Sequence, residues 1–282
     1  MRARSLFVKT LRDQRWQVLG YGATLFAMAA LIVRIWPSYR TSLEVIDLPP
    51  AIEAFLGTDL WIGTAPGFIS AEYFSWIPIL LIAFAVVQGT GAVAGEESSG
   101  TIDILLAQPL PRSEMLAVKA AATVLGATAI AMMGFLGFAV TVPVTDIAVS
   151  VGETFVASAN LLPITLVFYA LSLWLGAVAP SRSIAAGIAI GLVTLAYFSN
   201  TIAAGVDALD WMRYASPFYY YGAGLPLVDG INWLHAGSLL GVAAGFFVLT
   251  LRTFAARDVT IGGAAELDVA AVLRRIATMR AG

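Results

Sequence analysis

Residues 73–95 read Tyr-Phe-Ser-Trp-Ile-Pro-Ile-Leu-Leu-Ile-Ala-Phe-Ala-Val-Val-Gln-Gly-Thr-Gly-Ala-Val-Ala-Gly, with no charged residue among them. Roughly 20 apolar residues at about 1.5 Å rise cross a hydrocarbon layer of about 30 Å as an α-helix. A membrane strand would instead alternate with period two, and this run does not. In lipid, only a helix or a closed barrel satisfies its own backbone polar groups. The segment therefore reads as a spanning helix.

Working outward, five more charge-poor runs have the same character, so the predicted spans are about 16–35, 73–95, 116–144, 154–180, 183–206 and 231–251. The expected fold is all-α, a polytopic membrane bundle of six transmembrane helices over residues 1–258, followed by a cytoplasmic C-terminal extension over 259–282. Whole-chain composition agrees: 59% of residues are hydrophobic and 12% charged, with a mean hydropathy of +0.85. An ordinary soluble domain carries about 25% charged residues. Trp16, Trp36, Tyr73, Trp76, Trp174 and Trp233 sit near span ends, as interfacial anchors do. The chain has no cysteine, which excludes disulfides, zinc-thiolate sites and thiol catalysis.

Basic residues set the expected orientation. With the N-terminus inside, Arg2, Arg4, Lys9, Arg12, Arg15, Arg112, Lys119, Arg182, Arg252, Arg257, Arg274, Arg275 and Arg280 fall on the inner face, and only Arg34, Arg40 and Arg213 on the outer. That 13-to-3 division places both termini in the cytoplasm of a multi-pass protein of the cell (cytoplasmic or inner) membrane. Ala27-Met28-Ala29 has the look of a signal-peptide cleavage site, but the apolar run continues past it to Val33, so the first helix is expected to be retained. Ahead of it, residues 3–15 place Leu6, Phe7 and Leu11 at helical spacing among basic residues. This is the pattern of an N-terminal amphipathic helix lying on the inner leaflet, the alternative being a solvated basic tail.

Three connections are too long to be turns. The outer loop 37–72 contains Pro49-Pro50 ahead of Ala51 to Gly57, a start-and-stop pattern for a short helix. The outer loop 207–230 carries Trp211, Tyr214, Phe218, Tyr219, Tyr220 and Tyr221, aromatic surface suited to the headgroup boundary, to capping the bundle, or to an exit gate. The inner connection from Glu96 to Lys119 offers Ile102, Ile104, Leu105 and Leu106, ended by Pro109 and Pro111. A short apolar helix there needs a covering partner, or else sinks back into the interface.

That inner connection, from Gly95-Glu96-Glu97 through Gly100-Thr101-Ile102-Asp103-Ile104-Leu105-Leu106-Ala107-Gln108-Pro109 to Arg112 and Lys119, resembles the segment after the second span in ABC-2-type transporter permeases. Pro66-Gly67-Phe68 before the second span and Phe254 to Asp258 after the last are similar to the family as well. The resemblance implies two permease subunits, here a homodimer, working with two copies of a separate ABC ATPase. The ATP and magnesium would be bound by that ATPase and no cofactor by this chain. It implies that a short cytoplasmic coupling helix, Gly100 to Gln108, docks into the ATPase, with Glu96 and Glu97 at its entrance and Arg112 and Lys119 leading back into the membrane. The full coupling set is Glu96, Glu97, Gly100, Thr101, Ile102, Asp103, Ile104, Leu105, Leu106, Gln108 and Arg112. Beyond Asp258, Leu267, Val269, Val272, Leu273 and Ile276 form an amphipathic pattern of unassigned role.

The residues themselves offer little chemistry. No Gly-Lys-Ser/Thr sequence occurs, so a phosphate-binding loop is missing from this chain. His235 is the sole histidine and lies at the outer end of a span. Glu72 and Arg34 stand at boundaries, and no ionisable residue sits mid-span, where an ion-coupled carrier invests them. Gln88, Thr90, Asn160 and Asn200 either line a polar path or join helices. Gly91 with Gly95, Gly187 with Gly191, and Gly237, Gly241 and Gly245 have the small-residue spacing of close helix packing or of a dimer interface. The expected function is that of a permease subunit, not an enzyme, coupling ATP hydrolysis by its partner to export of a lipid-like or amphipathic substrate. Membrane lipids are its surroundings and nucleic acid is no partner. The rivals are an ion-coupled secondary carrier and a membrane scaffold that transmits motion to an extracytoplasmic partner.

Overall fold

The computed structural model describes residues 3–43, 63–95, 111–222 and 225–256, and all regular structure among them is helical. Six helical stretches are long and apolar enough to span a membrane: Ala3–Arg40, Ala65–Gly95, Arg112–Val144, Val151–Val178, Arg182–Ala204 and Trp233–Phe254. These are the six predicted spans, with ends displaced. The short outer helix expected at Pro49 to Gly57, the coupling helix and the C-terminal extension lie outside the described residues.

The first helix, α1 (Ala3–Leu43), is 41 residues long and unbroken at Arg15. The N-terminal amphipathic segment, expected to form a helix of its own on the leaflet, is continuous with the first spanning helix. Residues 3–15 contain neither glycine nor proline, so nothing stops the hydrogen-bond ladder there. At about 1.5 Å per residue α1 is about twice as long as the hydrocarbon layer is thick, so its Arg4–Arg15 turns project beyond it. Leu6 is buried in protein, in a cluster with Val93, Leu116 and Phe254.

The second span begins at Ala65, eight residues before the charge-free run, because α2 (Ala65–Ile69) and a wider π-turn, Ser70–Phe74, precede α3 (Ile77–Thr90). Thr64 caps α2 by accepting from the Gly67 N–H at 3.2 Å. The break before α3 follows from Pro78, which lacks the N–H that would bond the Phe74 carbonyl. Tyr221 fills the gap, its hydroxyl donating to Phe74 O at 3.0 Å. A second π-turn, Gly91–Gly95, follows α3.

The third span is α4 (Arg112–Thr141). The fourth is divided into α5 (Val151–Ala159) and α6 (Leu161–Val178) at Asn160, where Pro163 interrupts the ladder. Asn160 Nδ2 donates to Tyr221 O at 2.7 Å, so Tyr221 joins both proline-broken spans. Ser150 and Glu153 form a reciprocal capping box at the start of α5. The fifth span is α7 (Arg182–Ala204), and the sixth is α9 (Trp233–Ala256). Between them α8 (Pro217–Tyr221) is capped by Ser216 and closed by Gly222 at φ 67°, a left-handed position that glycine adopts without strain.

The fourth span is the centre of the bundle: 78% of its most apolar window is buried within the chain, against 17% for the fifth and 22% for the sixth. The outer faces of α7 and α9 are thus left for lipid or another subunit. Helix contact inside the chain runs through glycines other than the expected ones. A Cβ on Gly137 would collide with the Phe26 carbonyl and come within 2.9 Å of Ala29 Cβ; one on Gly89 would lie 2.8 Å from Ser172 Cβ. Gly126, Gly134 and Gly176 are similarly tight, whereas Gly187, Gly191, Gly237, Gly241 and Gly245 have nothing within 4 Å. The partners climb together along α1 and α4 (Gln14 with Ala122, Leu25 with Gly134, Phe26 with Gly137), so these two longest helices run parallel.

Gly137→Ala is therefore expected to destabilise the chain by about 1–3 kcal/mol or more, because a backbone carbonyl blocks the methyl. Gly20→Ala, with open space around it, should leave the apparent melting temperature in detergent unchanged or slightly raised. Equal effects of the two would break the assignment of α1–α4 as a close glycine contact.

Candidate functional site

Of the coupling set, Glu96, Glu97, Gly100, Thr101, Ile102, Asp103, Ile104, Leu105, Leu106 and Gln108 lie outside the described residues, and Arg112 lies within. Arg112 opens α4, where its Nη1 donates to Phe254 O at 3.4 Å and its guanidinium stands 5.7 Å from the centre of the Phe254 ring. Both contacts are with the last turn of α9, so the start of the third span is tied to the end of the sixth. Lys119 is 7% exposed, and its Nζ donates to Ala92 O at 2.9 Å. Ala92 belongs to the π-turn Gly91–Gly95 that follows α3. The two flanks of the connection between the second and third spans are therefore fastened to each other and to the sixth span.

Beside these contacts the structure opens a polar cavity of 380 Å³ between α1, the end of the second span, α4 and the start of α7. From α1 it is lined by Thr10, Asp13, Gln14 and Gln17. Gln14 is buried and its Nε2 donates to Ala122 O at 2.7 Å, while Gln17 accepts from Gln88 Nε2 at 2.7 Å on the exposed side. Lys119 and Thr123 contribute from α4.

Arg182 closes the cavity from α7. Gly91 and Gly95, read from the sequence as a helix-packing pair, hold no helix but this side chain: a Cβ on Gly91 would lie 3.2 Å from Arg182 Nη2. The guanidinium donates to Val87 O at 3.3 Å, and the donors left on its fork have no partner among the described residues. Arg182 stands in the first turn of α7, capped by Ser181, where the helix dipole disfavours a cation. The cavity thus presents positive charge and N–H donors, with the exposed carboxylate of Asp13 opposite in sign. Such a lining suits binding and positioning of a polar group.

Of the other polar residues singled out in the sequence, Asn160 serves as a tie between elements. Asn160 bonds Tyr221, as described, and Thr90 Oγ1 returns to Val86 O in its own helix at 2.7 Å. Asn200 Oδ1 is buried with no partner among the described residues. His235 sits among rings, 5.7 Å from Tyr219 and 5.3 Å from Tyr220. In the same 207–230 connection Phe218 and Tyr221 are buried while Trp211 is 68% exposed, so the aromatic segment packs on the bundle on one side and is open on the other. Asp210, 3.5 Å from the Tyr214 hydroxyl, is the main cause of an upward shift of that phenol's pKa, ahead of Tyr219. Sequence reasoning used Arg182 only to orient the chain. The signal present was a lone cation in the Pro180-Ser181-Arg182 break, unexplained by capping.

Six apolar helical spans define a multi-pass α-helical membrane protein. The chain belongs to the ABC-2 family of transporter proteins: the family model described as "ABC-2 family transporter protein" matches residues 10–259. No curated protein matches it. Membership makes this chain a membrane permease component of an ABC transporter, a transmembrane component without an ATPase of its own that works with an ABC ATPase subunit.

Replacing Lys119 by Met should lower stability by about 1.5–3 kcal/mol through loss of a buried charge-assisted bond. The measurement is thermal unfolding of the purified chain in detergent. An unchanged transition would mean that the Lys119–Ala92 tie carries no weight.

Proposed function

We propose that this chain is the permease subunit of an ATP-driven exporter of a lipid-like or amphipathic substrate. The working unit is two copies of the chain with two ATPase subunits that bind ATP and magnesium. The observation that carries this reading is the family match over residues 10–259 together with the six spans. Export direction and a homodimeric assembly are the family expectation. The lightly buried faces of α7 and α9 leave room for a second subunit, which supports the latter.

The 13-to-3 division of cations supports an inner-membrane orientation with both termini cytoplasmic. On that orientation the Glu96–Gln108 connection faces the ATPase. Its flanks support its coupling role: a push on the connection reaches Gly95 on one side and Arg112 on the other. Through Lys119–Ala92 and Arg112–Phe254 it then reaches the second, third and sixth spans together. Nucleotide-driven closure of the ATPases would in this way bias the bundle between two packings. Residues 1–258 would be the transmembrane domain and 259–282 a cytoplasmic extension.

Leu105→Asp with Leu106→Asp is expected to abolish co-purification of the ATPase while the chain stays membrane-integrated. Retention of the ATPase would move the contact elsewhere. The absence of cysteine makes orientation directly measurable. A membrane-impermeant maleimide should label Thr58→Cys in intact cells, and Ser99→Cys only after permeabilisation. The reverse pattern would invert the topology.

A further inference from the structure

We propose that the outward face of the first turns of α1, carrying Lys9, Arg12 and Arg15 beside Trp16, binds anionic phospholipids through their phosphate groups. The register of the face comes first. Lys9, Arg12, Trp16, Leu19, Ala23 and Phe26 follow one another at spacings of three and four, which sets them along a single stripe of the helix. All six are exposed, Trp16 at 71%, so no described element of the chain covers the stripe. Gln14, Leu25 and Ala29, by which α1 packs on the bundle, are buried on the opposite side.

The charge-free part of α1 runs from Trp16 to Val33, and 18 residues at about 1.5 Å each reach about 27 Å, close to the hydrocarbon thickness of about 30 Å. Trp16 thus stands at the hydrocarbon edge, with Arg15 and Arg12 within about 6 Å of that level along the axis and Lys9 about 10 Å from it. A headgroup layer is about 5–8 Å deep, and long cationic side chains reach across the remainder. The stripe is therefore apolar where acyl chains lie and cationic where phosphates lie. That unbroken passage from one to the other favours a lipid over a protein partner. Arg4, Lys9, Arg12 and Arg15 stand against one acid in this stretch, Asp13, which lines the polar cavity. None of Lys9, Arg12 and Arg15 is ion-paired among the described residues. The Arg15 guanidinium lies 5.4 Å from the centre of the Trp16 ring, which keeps it at the boundary. This face needs neither ATPase nor transport to act, so it stands or falls apart from the exporter reading.

In the test, the delipidated full chain in neutral detergent is offered phosphatidylglycerol and phosphatidylcholine at equal concentration, and bound lipids are counted by native mass spectrometry. Wild type should prefer phosphatidylglycerol about tenfold. Combined Lys9→Gln, Arg12→Gln and Arg15→Gln should remove the preference, whereas Lys9→Arg with Arg12→Lys and Arg15→Lys should keep it. Arg34→Gln with Arg40→Gln, toward the far end of the same helix, should match wild type. If the triple glutamine variant is poorly folded, salt decides on the wild type: about 0.5 M sodium chloride should abolish the preference, and a preference that survives it sinks the proposal. An unchanged preference in the triple variant overturns it too, as does an equal loss in the far-end pair, which would make general charge the attractant. Release of the ATPase by the triple variant with lipid preference intact would assign the face to protein instead.

Discussion

A carbonyl oxygen inside a bilayer has no water to turn to, and the architecture of this protein follows from that constraint. Nearly every long-range polar contact among the described residues is a side chain of one helix donating to a backbone carbonyl of another. Tyr221 serves Phe74, Asn160 serves Tyr221, Tyr73 serves Leu25, Gln14 serves Ala122, Lys119 serves Ala92, and Arg182 serves Val87. Several of these oxygens lie where the ladder is interrupted by proline or ends. The tie therefore does two things at once: it satisfies the orphaned acceptor and it fixes the relative position of two spans. Each bond in lipid is modest, of order 1 kcal/mol. Their importance lies in direction, since apolar packing alone does not specify register.

Glycine complements this scheme. Where Gly89 meets the backbone of α6, or Gly137 meets that of α1, helices approach until main chain touches main chain. Dispersion and these short approaches hold the helices together, because lipid tails offer no hydrophobic penalty for separation. The same residue type plays a different part at Gly91 and Gly95, where the missing side chains make a bed for a guanidinium. Small-residue spacing thus has at least two structural meanings in one protein.

The six spans were legible because a charge-free run of adequate length has one physical solution in a bilayer. Their ends were not. Ala65–Ser70 carries no charge but is separated from Tyr73 by Glu72, so a rule based on charge started the second span too late. Arg12, Asp13 and Arg15 looked like the end of a surface helix, yet charge does not terminate a helix and no breaker stands among them. Asn160 as a helix tie was readable from residue type. Its partner Tyr221 was not, being 61 residues away. The cavity was equally hidden: it assembles from four separate stretches, and only a folded chain brings Gln17, Gln88, Lys119 and Arg182 to one place. The glycine pairs on α7 and α9 had the right spacing but face outward, a property that local sequence does not encode.

The uninterrupted course of α1 has a mechanical corollary. Leu6 is embedded among Val93, Leu116 and Phe254, while Trp36, near the opposite end of the same helix, packs against Phe68 with ring centres 5.3 Å apart and the planes tilted by 44°. The helix between them is continuous, with Gly20 and Gly22 near its middle and Pro37 removing the bond to the Val33 carbonyl near its far end, so a tilt of one end is carried toward the other. A displacement at the arginine-rich overhang is thereby delivered across the bilayer as leverage on the opening turns of the second span.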